Sequence, residues 1–303
     1  MRCEPEEASN EQGALRVSFP MSGFPRPRWP RLAEVGGRLD WTRLRYLGSR
    51  LFGEASTVAR SPGELPNPKV LPPGQRVYAV GDIHGRVDLL SRMLDLIRTH
   101  EAKAPSAANT MVFLGDYVDR GPSSREVIDR LLAFGKEHRS VFLMGNHEEA
   151  LLRFLVDPRD GLQWFRLGGL QTLASYGIDI DALHFGVGPK GVRTAFLAAL
   201  PEAHREFFLT LELSRSIGEF FFCHAGVRPG VELGAQAPHD LIWIREEFLT
   251  WRGDFGMMIV HGHTPVAEPE LLPNRVNVDT GAFATGRLTC AVIEGSEIRF
   301  LST

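Results

Sequence analysis

Short apolar runs punctuate the chain after residue 76: VYAV at 77–80, MVFL at 111–114, VFLM at 141–144, EFFFC at 219–223, MMIV at 257–260, RVNV at 275–278, RLTCAVIE at 287–294 and EIRFL at 297–301. Such runs, bounded by glycine and polar residues, predict strands. Between the first three the period lengthens. Val87, Leu90, Leu94 and Ile97 fall at the spacing of a helix stripe, Val127, Ile128, Leu131 and Leu132 mark a second helix, and EEALLRFLV at 148–156 marks a third. Ser123, followed three residues later by Glu126, has the form of a capping box opening the second of these. Residues 159–218 read as helical and loop-rich, with Trp-Phe and Gly-Gly inside 164–169 and Pro201 in the first turn of a helix ending at Leu211. After that, strands dominate. No internal repeat appears, and the alternation of elements predicts an α/β fold with a two-sheet core flanked by helices.

The 303 residues, 43% of them hydrophobic, suffice for a full-sized core, as one large domain with appendages or as two domains. A net charge of -3 gives no global field for nucleic acid or an anionic membrane, so no nucleic-acid partner is expected. Cys3, Cys223 and Cys290 are odd in number and far apart, which fits a reducing compartment. The N-terminus opens with Glu4, Glu6, Glu7 and Glu11, and no run approaches the roughly 18 apolar residues of a membrane span. The expectation is a cytoplasmic protein without a transmembrane segment.

Composition changes near residue 72. The stretch 61–75 is dense in Pro and Gly, which make turns and extended linkers rather than pack. Residues 1–75 are therefore expected to form an N-terminal extension and linker, partly disordered, ahead of a catalytic domain at 76–303. Within the extension, Leu39, Arg43, Tyr46, Leu47 and Leu51 outline a basic amphipathic helix, which either docks weakly on a partner or packs on the domain.

Five motifs carry the chemistry: GDIHG at 81–85, GDYVDRG at 115–121, GNHE at 145–148, HAG at 224–226 and HGHT at 261–264. Each lies at the end of a strand-like run. In an open α/β sheet the edge beyond the carboxyl ends of the strands is where ligands bind, and Asp, His and Asn gathered there without Cys suit a hard-to-borderline metal. A pair of divalent ions roughly 3.5–4 Å apart needs a bridging carboxylate, neutral imidazoles and oxygen donors, and can hold a hydroxide nucleophile at neutral pH. Asp82 and His84 can chelate one ion, Asp116 is the natural bridge, and Asn146, His224 and His263 complete the second.

With these five motifs in this order, residues 76–303 resemble the calcineurin-like metallophosphoesterases, specifically the phosphoprotein phosphatase family in its bacterial and phage branch. The resemblance implies a two-sheet β sandwich flanked by helices, with the six ligands as just assigned. It also implies two divalent ions, manganese first, with iron or zinc as alternatives. Arg120 and Arg245 fall where the family places phosphoryl-binding arginines, whose planar fork suits a tetrahedral phosphate. His147 matches the acid that protonates the leaving oxygen, and Asp119 the carboxylate that orients it and raises its pKa.

Other positions separate the chain from related groups. Pro265 stands where the broader superfamily often has a further metal-binding His. Enzymes that cleave dinucleoside polyphosphates symmetrically typically have Ala in place of Asp119 and GNHD in place of GNHE. The expected activity is therefore phosphomonoester hydrolysis on phosphoserine or phosphothreonine in proteins, by direct attack of a metal-bridging hydroxide. The alternatives are hydrolysis of dinucleoside polyphosphates or small phosphates, and a phosphoprotein-binding module with a vestigial site. Three neighbours of the motifs have two readings each. Glu148 either supports a ligand or serves the helix dipole, His261 either bonds a ligand or is a strand residue, and Cys223 is either redox-active or a buried strand residue.

Overall fold

The computed structural model describes residues 68–180 and 188–303, so the basic segment at 38–52 and Cys3 lie outside the described residues. Two five-stranded sheets form the centre. The first is ordered β10-β9-β1-β2-β3, from β1 (Gln75–Val80), β2 (Ala108–Phe113), β3 (Ser140–Phe142), β9 (Thr289–Glu294) and β10 (Glu297–Ser302). The second is ordered β4-β5-β6-β8-β7, from β4 (Ser214–Ile217), β5 (Phe220–Cys223), β6 (Met258–His261), β7 (Glu270–Leu272) and β8 (Arg275–Asn277).

Side chains alternate faces along a strand, and here both faces are covered, which is why the strands read as continuous apolar runs. Val77, Ala79, Val112 and Leu114 point inward to meet Phe220, Phe222, Met258 and Val260 of the opposite sheet. Tyr78, Val80, Met111 and Phe113 point outward beneath α1 (Val87–Lys103) and α2 (Ser124–Glu137), packing on Leu90, Leu94, Val127 and Leu131. On the far side of the second sheet, Phe221, Cys223 and Ile259 pack on Leu241, Ile242 and Phe248.

Register brings the motifs level. Val80 pairs with Phe113 and Phe113 with Phe142, all parallel, so GDIHG, GDYVDRG and GNHE leave the same edge of the first sheet. Phe222 pairs with Val260 and Val260 with Val276, also parallel, which does the same for the second. The GNHE motif runs directly into α3 (Asn146–Val156).

Several local expectations are corrected. Ser123 precedes α2 but makes no side-chain cap; its N–H donates to Gly85 O (3.0 Å), and the hydroxyl engaged at this turn is that of Ser124, which accepts from Asp119 N (3.1 Å). Pro201 lies just before its helix, Glu202–Leu209, which stops before Leu211 because Glu212 N turns away to Phe142 O (3.0 Å). The edge strands β4, Ser-Arg-Ser-Ile, and β7, Glu-Leu-Leu, are too short to stand out as apolar runs. The Pro-rich segment also packs at its end: Leu71 is fully buried and its N–H donates to Gly295 O (2.8 Å).

Candidate active site

The described residues contain five non-glycine positions with positive φ: His84, Asp116, Asp119, Arg120 and His263. All five belong to the motifs. Left-handed backbone at non-glycine residues costs on the order of 1–3 kcal/mol each and persists only where the surroundings over-determine it. The strain here turns each side chain back across the sheet edge. Gly145 and Gly262 make room for this, since a Cβ at either would collide with a carboxylate, that of Asp116 or of Asp82.

Glu148 is the chief restraint on the first sheet's loops. It is fully buried in the first turn of α3, and its carboxylate accepts from Asp116 N (2.9 Å), Tyr117 N (2.8 Å), Val118 N (3.2 Å) and Gly145 N (3.0 Å). Both readings of this residue hold, because it supports the loops and lies at a helix N-terminus. Burial and the nearby Asp116 charge push its pKa up to about 8, against the preference of these N–H donors for the carboxylate.

Five of the six candidate ligands converge in two groups that share Asp116, with His147 completing the first and Asp82 in neither. In one, His84 Nε2 lies 3.4 Å from Asp116 Oδ2, and His147 Nε2 lies 3.8 Å from the same oxygen. In the other, His224 Nε2 lies 3.4 Å from Asp116 Oδ1, 3.0 Å from Asn146 Oδ1 and 3.1 Å from His263 Nδ1. Asp82, beside the first group, accepts from His263 N at 3.1 Å.

Tautomers decide what these contacts mean. His84 Nδ1 donates to Val118 O (2.9 Å) and His224 Nδ1 donates to Leu114 O (2.9 Å). In each neutral ring the proton is thereby fixed on Nδ1, and Nε2 turns a lone pair inward. Burial, chiefly, holds both imidazoles below their usual pKa, and His263 is lowered by burial and by His224. Lone pairs thus face a carboxylate and an amide oxygen at close range, an arrangement that repels itself unless a cation lies between. The donor set fits divalent metals of N/O preference, and these residues can hold them.

Beside the first group lies a fully buried pair. His147 Nδ1 donates to Asp119 Oδ2 (2.7 Å), while His147 Nε2 has no hydrogen-bond partner among the described residues and faces Asp116. Burial opposes its charged form, but Asp116 and the hydrogen-bonded Asp119 prevail and raise its pKa. Arg120 is half-buried, with its guanidinium 4.7 Å from the centre of the Phe283 ring. Arg245 stands more open to solvent, yet its charge acts on His224, His263 and Arg120. Among the described residues His261 makes no hydrogen bond to a ligand side chain: its Nδ1 donates to Gly262 O (3.0 Å), its ring meets Phe248 edge-on, and it is the last residue of β6. Cys223 is likewise a buried strand residue, its thiol pushed up by burial.

Sequence reading missed Asp279, Trp164 and Thr172. Asp279 is buried, accepts from Gly281 N (2.8 Å), and is pushed up to about 6, mainly by burial. Its signal was available, since VNVDTG repeats the pattern of an apolar run followed by Asp and Gly. Trp164 and Thr172 both donate to the Asp119 carboxylate, and no periodicity marks them.

A family model described as "Calcineurin-like phosphoesterase" matches residues 75–285. Bis(5'-nucleosyl)-tetraphosphatase PrpE (asymmetrical) of Anoxybacillus flavithermus is 27% identical over 229 residues, 69% of this chain and 87% of the relative. The protein of the same name from Halalkalibacterium halodurans is also 27% identical, over 74% of this chain and 91% of its own length. A solved structure provisionally assigned as a diadenosine tetraphosphatase superposes with a TM-score of 0.53 at 21% identity, covering 78% of this chain and 98% of the other. A cold-active protein tyrosine phosphatase gives 0.50 at 17% identity, covering 82% and 86%. These two structures speak for the fold alone. With the family match spanning more than half its length, the chain belongs to the calcineurin-like phosphoesterases.

Proposed function

We propose that this protein is a metal-dependent hydrolase of nucleotide phosphoanhydrides, with dinucleoside tetraphosphates as its substrate class. The observation that carries this reading is the pair of curated relatives named as asymmetrical bis(5'-nucleosyl)-tetraphosphatases, each matched over most of its length. Off-centre cleavage of such a substrate adds one water and releases a nucleoside triphosphate and a monophosphate. Phosphoserine and phosphothreonine hydrolysis is the second reading. It is favoured by the Asp119–His147 pair, because an alkoxide leaving group needs a proton more than a phosphate does.

Asp82, His84 and Asp116 would hold one divalent ion and Asp116, Asn146, His224 and His263 would hold a second, of manganese, iron or zinc type. Bound there, the pair supplies Lewis acidity toward phosphoryl oxygen and a nucleophile from water at neutral pH. Arg120 and Arg245 hold the phosphoryl oxygens through their guanidinium forks. His147, kept protonated by Asp119, donates from Nε2 to the leaving oxygen while Nδ1–H remains bonded to the carboxylate.

Turnover is to be compared across a dinucleoside tetraphosphate, phosphoserine and phosphothreonine peptides and an aryl phosphate, each with manganese, iron and zinc. A nucleotide preference of about tenfold or more in kcat/KM, with triphosphate and monophosphate as products, supports the proposal. The opposite preference establishes the second reading, and no turnover with any metal points to the vestigial binding module.

A further inference from the structure

Asp119 is fully buried, yet His147 is only one of its partners. Thr172 Oγ1 donates to Oδ1 at 2.6 Å, and Trp164 Nε1 donates to Oδ2 at 3.0 Å and Oδ1 at 3.2 Å. Asp119 N in turn donates to Thr172 Oγ1 at 2.9 Å, so threonine grips both the main chain and the side chain of one residue. Trp164 and Thr172 are themselves fully buried.

Both residues belong to the helical segment Pro158–Ser175, which kinks at Gly168, where φ is 113. This segment is shaped around the indole. A Cβ on Gly169 would stand 2.5 Å from the Trp164 ring, and the other faces of that ring pack on Phe154 (5.0 Å between centroids) and Phe196 (5.9 Å). The same kink reaches the neighbouring arginine, since Arg120 N donates to Gly168 O at 3.3 Å.

We infer that Trp164 and Thr172 are positioning residues that lock the Asp119 carboxylate, and through it the His147 ring, so that the Pro158–Ser175 segment sets how well the enzyme expels poor leaving groups. The physical reason lies in direction. A carboxylate bonded only to one imidazole swings about its Cβ–Cγ bond and the ring follows; with Oδ1 held by the Thr172 hydroxyl and both oxygens by the indole, Oδ2 keeps its lone pair on His147 Nδ1 and Nε2 keeps its aim. This inference rests on the reading of His147 as the proton donor.

The test measures kcat and KM for Thr172→Val, Thr172→Ser, Trp164→Phe and His147→Asn on an alkyl phosphate and on an activated aryl phosphate, whose leaving group needs no proton. Thr172→Val keeps the shape and deletes the hydroxyl, and Thr172→Ser restores it. For Thr172→Val and Trp164→Phe we expect kcat on the alkyl phosphate to fall roughly tenfold, a fraction of the hundredfold or more that a general acid contributes. KM and aryl turnover should stay within about twofold, and Thr172→Ser should recover most of the loss. If His147→Asn shows the selective loss and Thr172→Val and Trp164→Phe lose both substrates equally, or serine fails to rescue, the inference falls and the reading of His147 stands. If His147→Asn itself loses both equally, the acid role and this inference fall together. Should Thr172→Val not fold, Trp164→Phe and Thr172→Ser decide by the same ratio of alkyl to aryl turnover.

Discussion

Asp116, Asp119 and Asn146 reach the site from the first sheet on loops that Glu148 ties together in addition to main-chain bonds such as His84 N to Asp116 O (2.8 Å), whereas His224 and His263 reach it from the second sheet on turns tied by the main chain and by the Asp82 carboxylate. In the second sheet Gly262 N donates to His224 O at 2.8 Å and Val278 N to His261 O at 3.0 Å, so each turn leans on its neighbour's backbone. Four of the five positive-φ residues, His84, Asp116, Asp119 and Arg120, lie on the first sheet's loops, and only His263 lies on the second's. The difference shows where strain can be carried. Loops bent through unfavourable backbone need a strong compensating anchor, and a carboxylate accepting several buried N–H groups is one. Turns that merely continue a parallel ladder need less.

Asp116 is the residue on which the two halves meet, and its loss should be the largest effect. Asp116→Asn removes the shared charge and should depress turnover by about a thousandfold or more, the scale of several kcal/mol of transition-state stabilisation. Elemental analysis alongside activity should give two ions per chain in the parent protein and fewer in the variant; full activity with one ion would break the picture of joined halves.

Next is the anchor itself. Glu148→Ala strands four buried N–H groups, and we expect a loss of roughly 3–5 kcal/mol in chemical denaturation. The nearest counterpart in the second sheet is Asn277, which accepts from Asp279 N and donates to Thr264 O. Asn277→Ala should cost only about 1–2 kcal/mol. Equal losses would erase the contrast.

The pH profile sharpens the comparison within the first half. His147 acts while protonated, and its pKa is raised, so activity on a poor leaving group should hold above the ordinary imidazole value near 6.5 and fall as pH rises through the raised one. That alkaline limb should be absent in His147→Asn and weak for an activated aryl phosphate.

Smaller effects should follow at the phosphate end. Arg120→Ala is expected to lower kcat/KM about tenfold or more and to weaken inhibition by inorganic phosphate, and Arg245→Ala, nearer solvent, should do both to a lesser degree. Unchanged phosphate inhibition in Arg245→Ala would remove that residue from the site. The smallest change should come from shortening the chain to begin at Lys69. This keeps the Lys69–Asp254 ion pair and the buried Leu71, and turnover on small phosphates should stay within about twofold.

The sequence by itself determined eight of the ten described strands, the helices after the first three of them, and the residues at their carboxyl ends. It could do so because apolar runs and helical stripes are local signals, and a glycine-bounded Asp or His after such a run has few other uses. It could not separate two roles for Glu148, which depend on where the N–H groups of a loop some thirty residues away come to lie. Nor could it find Trp164 and Thr172, whose meaning is a contact with Asp119 across 45 and 53 residues. Only the tertiary structure decided how closely His84 and His224, from opposite sheets, approach the Asp116 read as their bridge, and that each carries its proton on Nδ1. Those facts depend on parallel registers that bring two sheet edges level, and on carbonyl groups whose direction is set by the chain around them rather than by the residues that receive them.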